Sequence, residues 1–134
     1  MSSVLVDSSV LLDVLTVDPL WGDRSAAALA AAATETWLVI NPIVYAEVSV
    51  RFTTIEGLED ALPRAVFRRE PLPFEAAFLA GKAFLRYRRS GGVRQTPLPD
   101  FLIGAHAAIA GHRLLTRDPR RVRRHFPTVE LVLP

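Results

Sequence analysis

The sequence predicts an α/β fold: a three-layer α/β/α sandwich with a largely parallel central sheet of about five strands. Two observations carry the prediction. Short apolar runs with β-branched residues alternate, at short spacing, with stretches whose apolar residues recur at helical intervals. The chain has 134 residues, half of them apolar, enough to bury a core, and it shows neither an internal repeat nor a linker. Residues 1–134 are therefore expected to form a single domain.

Val4-Leu5-Val6 reads as the first buried strand, ended by Asp7. Ser8 to Leu15 bring a serine cap signal and helical apolar content, so Asp7 sits where a strand passes into a helix. Asp13 on that helix is expected to be solvated. Residues 18–23 read as a loop, and the alanine-rich stretch 23–33 as a helix by propensity. Thr36 to Ile40 form the second strand. Asn41-Pro42 then caps and opens a helix bearing Glu47. Glu47 lies one turn after Ile43 and one turn before Val50, which places it on their apolar face.

Residues 55–68 read as a helix interrupted by Gly57 and Pro63, followed by a short edge strand over 69–73. Phe74, Ala77, Phe78, Gly81 and Leu85 recur at helical spacing and predict an amphipathic helix over 74–89. Its end carries Arg86, Tyr87, Arg88 and Arg89, cations that suit a helix C-terminus. Residues 90–97 have the composition of a flexible loop. Pro99-Asp100 opens the helix Phe101–Ala110, which is apolar nearly all round and so expected to be central. Gly111 can end it. His106 on such a helix is expected to be a hydrogen-bonded core residue. Arg113 to Thr116 form a strand, Asp118-Pro119 caps a short basic helix, and residues 128–133 form the last strand.

Composition narrows the chemistry. The chain has no cysteine, hence no disulfide, thiolate metal site or cysteine nucleophile, and only three histidines. A histidine-rich metal site is not expected. The N-terminus has no basic region and meets an acid early, so it is not read as a signal peptide, and no apolar run is long enough to span a bilayer. A soluble cytoplasmic protein is expected. Charge is lopsided: residues 1–63 hold two basic residues against nine acids, and residues 64–134 hold fourteen against five. Fifteen of the sixteen basic residues are arginine, which pairs with phosphate bidentately and stacks on bases. Ion pairing between the two halves is the structural alternative.

Four acids fall on one edge of the expected sheet. Asp7 and Asp118 stand at strand ends; Glu47 and Asp100 lie near helix starts. Each has a structural explanation, capping in most cases and an ion pair with Arg51 for Glu47. Together they suggest a site outside the carboxyl ends of the strands. Crowded carboxylates repel, a divalent cation offsets the repulsion, and oxygen ligands favour Mg²⁺ or Mn²⁺. Such ions can activate water and clamp a phosphate, a chemistry that needs no histidine, cysteine or serine nucleophile.

Val4 to Asp13, the helix bearing Glu47, the Pro99-Asp100 helix and Leu115-Thr116-Arg117-Asp118 together resemble the PIN-domain family. More narrowly they resemble the VapC-type ribonuclease toxins of prokaryotic toxin–antitoxin pairs. The resemblance covers nearly the whole chain. It implies Mg²⁺- or Mn²⁺-dependent endonucleolytic cleavage of RNA, leaving a 5′-phosphate and a 3′-hydroxyl. Asp7, Glu47, Asp100 and Asp118 match the family's acidic quartet, and Thr116 matches a hydroxyl position beside the fourth acid. Ser9 departs from the asparagine or other polar residue found in many relatives and is assigned an auxiliary role. The resemblance further implies a toxin homodimer and an antitoxin partner that covers the site.

A site of four acids repels RNA, so flanking cations must draw the phosphates in. Arg86, Arg88, Arg89, Arg94, Arg117, Arg120 and Arg121 are the candidates. Two rival readings have distinct signatures. A phosphoacceptor signalling domain needs a lysine at a late strand end, whereas the one lysine, Lys82, lies inside a helix. A catalytically silent PIN-like module would bind RNA or protein without metal-dependent cleavage.

Overall fold

The computed structural model describes residues 2–91 and 98–134. In chain order the elements are β1 (Val4–Val6), α1 (Ser8–Leu15), α2 (Gly22–Glu35), β2 (Leu38–Ile40), α3 (Pro42–Ser49) and α4 (Ile55–Ala61). They continue as β3 (Phe67–Arg69), α5 (Phe74–Arg89), α6 (Leu98–Ala110), β4 (Arg113–Leu115), α7 (Pro119–His125) and β5 (Leu131–Val132). The five strands form one sheet in the order β3-β2-β1-β4-β5, with every pair parallel. Leu5, at its centre, stands opposite Val39 on one side and Leu114 on the other.

Val4, Leu5 and Val6 are all fully buried. Successive strand residues face opposite sides of a sheet, so burial of all three means that helices cover both faces. The expected sandwich is therefore observed. The chain winds outward from β1 through β2 to β3, then returns to lay β4 on the other side of β1. This reversal opens a crevice between the carboxyl ends of β1 and β4, where ligands of open parallel sheets bind.

Local chemistry fixes the helix ends. At the start of α3 the Asn41 side chain accepts the Val44 N–H, and Pro42 occupies the first turn, where its missing N–H costs nothing. Thr54 accepts the Gly57 N–H at the start of α4. Gly111 closes α6 with φ +72, in the left-handed region.

Three sequence expectations are corrected. The helix read over 55–68 stops at Ala61; a turn on the Pro63 carbonyl follows, and the edge strand comes earlier, at Phe67–Arg69 rather than 69–73. Pro71 and Pro73 lack the N–H that a ladder requires. On α3 the buried stripe is Val44 and Val48, and Val50 is 82% exposed. Glu47 therefore flanks the apolar face and does not lie within it. On α5 the large apolar stripe turns outward: Phe74 is 89% exposed and Phe78 69%. Its buried face is Ala76, Ala80 and Ala83. Small residues let α5 approach α6 closely, Phe84 and Tyr87 pack against Phe101 of α6, and Phe74 and Phe78 are left on the far side.

One close contact sets the seat of α6. A Cβ at Gly104 would lie 2.6 Å and 2.7 Å from two ring carbons of Phe126. That ring is buried and packs edge-on to Phe101, so it has little room to move. Gly104→Ala is expected to lower stability by about 1–3 kcal/mol, although alanine is the better helix former by ~1 kcal/mol. Denaturant midpoints check this; an unchanged or raised midpoint would show that the ring yields freely.

Candidate active site

Asp7 immediately follows β1, and its N–H donates to the Leu115 carbonyl at the end of β4 (2.9 Å). Its backbone occupies the N-cap position of α1, yet its side chain caps nothing. Instead Oδ2 accepts hydrogen bonds from Ser9 Oγ (2.9 Å) and Thr116 Oγ1 (2.8 Å). Thr116 is buried, and its Oγ1 also accepts the Asp118 N–H (3.1 Å). Donation to Asp7 and acceptance from Asp118 together fix the hydroxyl rotor and tie two acids to one threonine. Asp118 likewise sits at an N-cap, that of α7, with no side-chain cap bond. The capping explanation thus fails for both aspartates.

Asp100 lies in the first turn of α6 and binds Arg121 of α7, Nη1 to Oδ2, at 2.6 Å. Asp7, Asp100, Asp118, Thr116, Arg117 and Arg121 all line one cleft of about 300 Å³ at the crossover of the sheet. Glu47 stands just behind it. Ser8, which lines the cleft, donates to Glu47 Oε1 at 2.7 Å. The Arg51 pairing considered for Glu47 is replaced by this serine contact.

Burial, the largest influence, pushes the Glu47 carboxyl above the ordinary range; Ser8 opposes it, and Asp100 and Asp7 add to it. Asp100 is also raised, mainly by burial, with Arg121 opposing and Asp7 and Asp118 adding. The electrostatics thus couples Glu47 to the aspartates. All four acids share one field, and the donor set is all oxygen. That chemistry fits a hard divalent cation, with Asp7, Glu47, Asp100 and Asp118 as the residues that would hold it.

The tightest grouping of ligand-type atoms among the described residues lies elsewhere. Glu70, His106 and His112 place theirs within 4.8 Å of one another. The hydrogen bonds argue against a metal there. Asn41 Oδ1 is committed to the Val44 N–H, so the amide nitrogen faces His106 Nδ1, at 3.0 Å. His106 Nδ1 must then accept, which puts the ring proton on Nε2, directed at Glu70 Oε1 3.3 Å away. A metal-ligating histidine needs that lone pair free. Burial also holds the His106 pKa below its usual value. His106 is fully buried and hydrogen-bonded, as its helix predicted. His112 Nε2 completes the group on the same Glu70 oxygen at 2.7 Å. The sequence did not foresee the grouping, because Glu70 lies 36 positions before His106 and 42 before His112.

Asp13 departs from expectation. It is 3% exposed, and its Oδ2 accepts Ser25 Oγ at 2.9 Å and pairs with Arg117 Nε at 3.3 Å. Three residues separate it from the buried Val10, so its inward direction was available in the helical period. Of the other candidate arginines, Arg120 is exposed on α7, and Arg86, Arg88 and Arg89 are exposed on the last turn of α5. That turn adjoins the start of α6, because Tyr87 and Phe84 both pack on Phe101, the neighbour of Asp100. Arg94 lies outside the described residues.

A wholly parallel sandwich with acids gathered at its crossover defines an α/β protein with an acidic cleft beside the carboxyl ends of its central strands. The chain belongs to the PIN domain family, whose model matches residues 4–126. Among solved structures it is similar to VapBC2 from Rickettsia felis, bound to a fragment of promoter DNA (18% identity, 98% of each chain covered, TM-score 0.75). It is also similar to VapBC-1 from nontypeable Haemophilus influenzae (16% identity, 97% of this chain and 96% of that chain, TM-score 0.72). A third is VapC20 of Mycobacterium tuberculosis, a toxin that cleaves the sarcin–ricin loop (16% identity, 92% of this chain and 95% of that chain, TM-score 0.65). At these identities the likeness carries the fold. No curated protein sequence matches the chain significantly. Among the described residues no helix is long and apolar enough to cross a membrane.

Proposed function

We propose that this protein is a metal-dependent endoribonuclease and the toxin of a VapBC-type toxin–antitoxin pair, acting in the cytoplasm as one domain. The observation that carries the reading is the convergence of Asp7, Asp100, Asp118 and Thr116 on one cleft, with two arginines at its wall and Glu47 within the field of Asp100 and Asp7. Membership of the PIN family and the likeness to VapBC complexes and to an RNA-cleaving VapC toxin support it.

Mg²⁺ or Mn²⁺, when bound by the four carboxylates, supplies a Lewis acid for the phosphate and lowers the pKa of water. The chain's own residues prepare that site. Ser9 and Thr116 hold one oxygen of Asp7 and so orient the other. Ser8 orients Glu47 in the same way. Burial raises the pKa of Glu47 and of Asp100, and a bound cation would hold both ionised. Arg117 and Arg121 at the cleft, with Arg120 on α7 and Arg86, Arg88 and Arg89 on the last turn of α5, offset the acids and hold the RNA backbone, a role the sequence alone assigns to Arg94 as well.

Incubation of total cellular RNA with purified, antitoxin-free protein tests this. Discrete fragments with 5′-phosphate and 3′-hydroxyl ends, formed with Mg²⁺ or Mn²⁺ and not with chelator, are expected. RNA left intact under both metals would leave a binding module.

The family reading also includes a homodimer, and the outward stripe of α5 is the surface we assign to it. Phe74 and Phe78, largely exposed beside Gly81, form an apolar face that a second copy can cover. Phe78→Glu is expected to convert the dimer to monomer in sedimentation analysis. A wild-type monomer, or a variant that stays dimeric, would remove α5 from the interface.

A further inference from the structure

Asp13 is a buried carboxylate that the four-acid site does not use. Removing a charge from water is costly unless it is paired. Here the pairing points outward: Asp13 Oδ2 holds Arg117 Nε at 3.3 Å, and the Arg117 side chain is still 37% exposed at the wall of the acid cleft. The acid is itself held by Ser25 Oγ, a fully buried hydroxyl of α2 (2.9 Å). The guanidinium carbon of Arg117 lies 5.5 Å from the centre of the Trp21 ring, which also carries Arg24 at 4.5 Å.

A guanidinium fixed at Nε and laid against an indole has few rotamers left to lose. Its terminal nitrogens form the edge that binds phosphate bidentately. A surface ion pair of purely structural use gains little from a wholly buried acid, a buried hydroxyl and an aromatic support. Asp13, Trp21 and Ser25 belong to one continuous segment, from α1 through the loop into α2, and Arg117 reaches it from the turn after β4. Their meeting point is the rim of the cleft.

We propose that Ser25, Asp13 and Trp21 are positioning residues that hold Arg117 as a preset clamp for an RNA phosphate next to the one cleaved. This deepens the nuclease reading and rests on it. Arg117 touches the substrate; the other three act through Arg117.

The test is binding of a short labelled RNA of mixed sequence in chelator, across a series of salt concentrations. Arg117→Gln is expected to weaken binding and to reduce the salt slope by about 0.7, the share of one phosphate contact on a single strand. Asp13→Asn, which keeps a hydrogen-bond acceptor for Ser25, is expected to weaken binding about three- to tenfold with the slope retained, because Arg117 must be ordered on binding. Trp21→Leu should behave like Asp13→Asn, and Arg117→Lys should restore the slope without restoring the affinity. Melting curves identify any variant that does not fold, and the remaining variants then decide.

Affinity unchanged in Asp13→Asn and Trp21→Leu, with Arg117→Gln impaired, would overturn the positioning role. An unchanged salt slope in Arg117→Gln would overturn the clamp. Failure of the wild-type protein to bind RNA in chelator would overturn the clamp, because a preset guanidinium needs no metal to hold a phosphate, and it leaves the nuclease reading to the cleavage test.

Discussion

Asp7→Asn is expected to leave the protein folded and to lower RNA cleavage by on the order of 10³-fold or more, equivalent to roughly 4 kcal/mol of transition-state stabilisation. Asp7 is the hub of the cleft: Ser9 and Thr116 both donate to its Oδ2, and Thr116 in turn accepts from the Asp118 backbone. An asparagine carbonyl can accept from the same hydroxyls, so the local geometry has no reason to collapse. What disappears is one negative charge among four acids. Repulsion on Glu47 and Asp100 falls with it, since Asp7 contributes to raising both. Stability should hold or rise slightly while activity is lost. Cleavage assays beside melting curves check the pair of outcomes. Loss of both together would mean that Asp7 serves the fold first.

The second large effect is on pH dependence. Glu47 and Asp100 both have pKa values raised chiefly by burial, opposed in turn by Ser8 and Arg121. Their folded values therefore lie above the unfolded values of about 4. Between those values the folded state holds more protons than the unfolded one. Without metal, these two groups therefore lose the protein stability as pH rises through that window. A cation bound to the ionised acids reverses the sign, because it displaces the protons. The increase in melting temperature caused by Mn²⁺ should thus be small at low pH and grow as pH rises through the range in which the two carboxyls ionise. Cleavage should rise with it in two steps, because coupled carboxylates lose their protons one after the other, and the slope on a logarithmic plot approaches about two only below both steps. A cleavage rate independent of pH across that range would rule out a role for their ionisation.

Half of the candidate quartet was legible because Asp7 and Asp118 follow strands, and strand ends are easy to read. Val4-Leu5-Val6 is apolar throughout and can only be an inner strand, so Asp7 had to emerge at the carboxyl edge. The same holds for Thr116 after Leu114-Leu115. What periodicity could not give was direction. On α5 the large apolar residues were expected to mark the core, but tight packing against α6 selected Ala76, Ala80 and Ala83. On α3, Val50 keeps helical backbone angles (φ −58, ψ −25) but is exposed, because the face buried is the one that carries Val44 and Val48. Pairings across sequence were also out of reach: Ser8 with Glu47, Arg121 with Asp100, and Arg117 with Asp13 depend on how α1, α3, α6 and α7 meet. Asp13 was the exception, since its spacing from Val10 already pointed inward.

Arg121 gives the site its resting counter-charge. Its guanidinium lies on Asp100 at 2.6 Å, so a cation entering the quartet competes with it for that carboxylate. The claim on which the whole account depends is that the four acids, and not the Glu70–His106–His112 group, hold the metal. Calorimetric titration of Mn²⁺ into metal-stripped protein tests it directly, using the wild type, Asp7→Asn and His112→Ala. The account predicts saturable binding in the wild type and in His112→Ala, and loss of that binding in Asp7→Asn. Binding that survives Asp7→Asn and disappears in His112→Ala would contradict it.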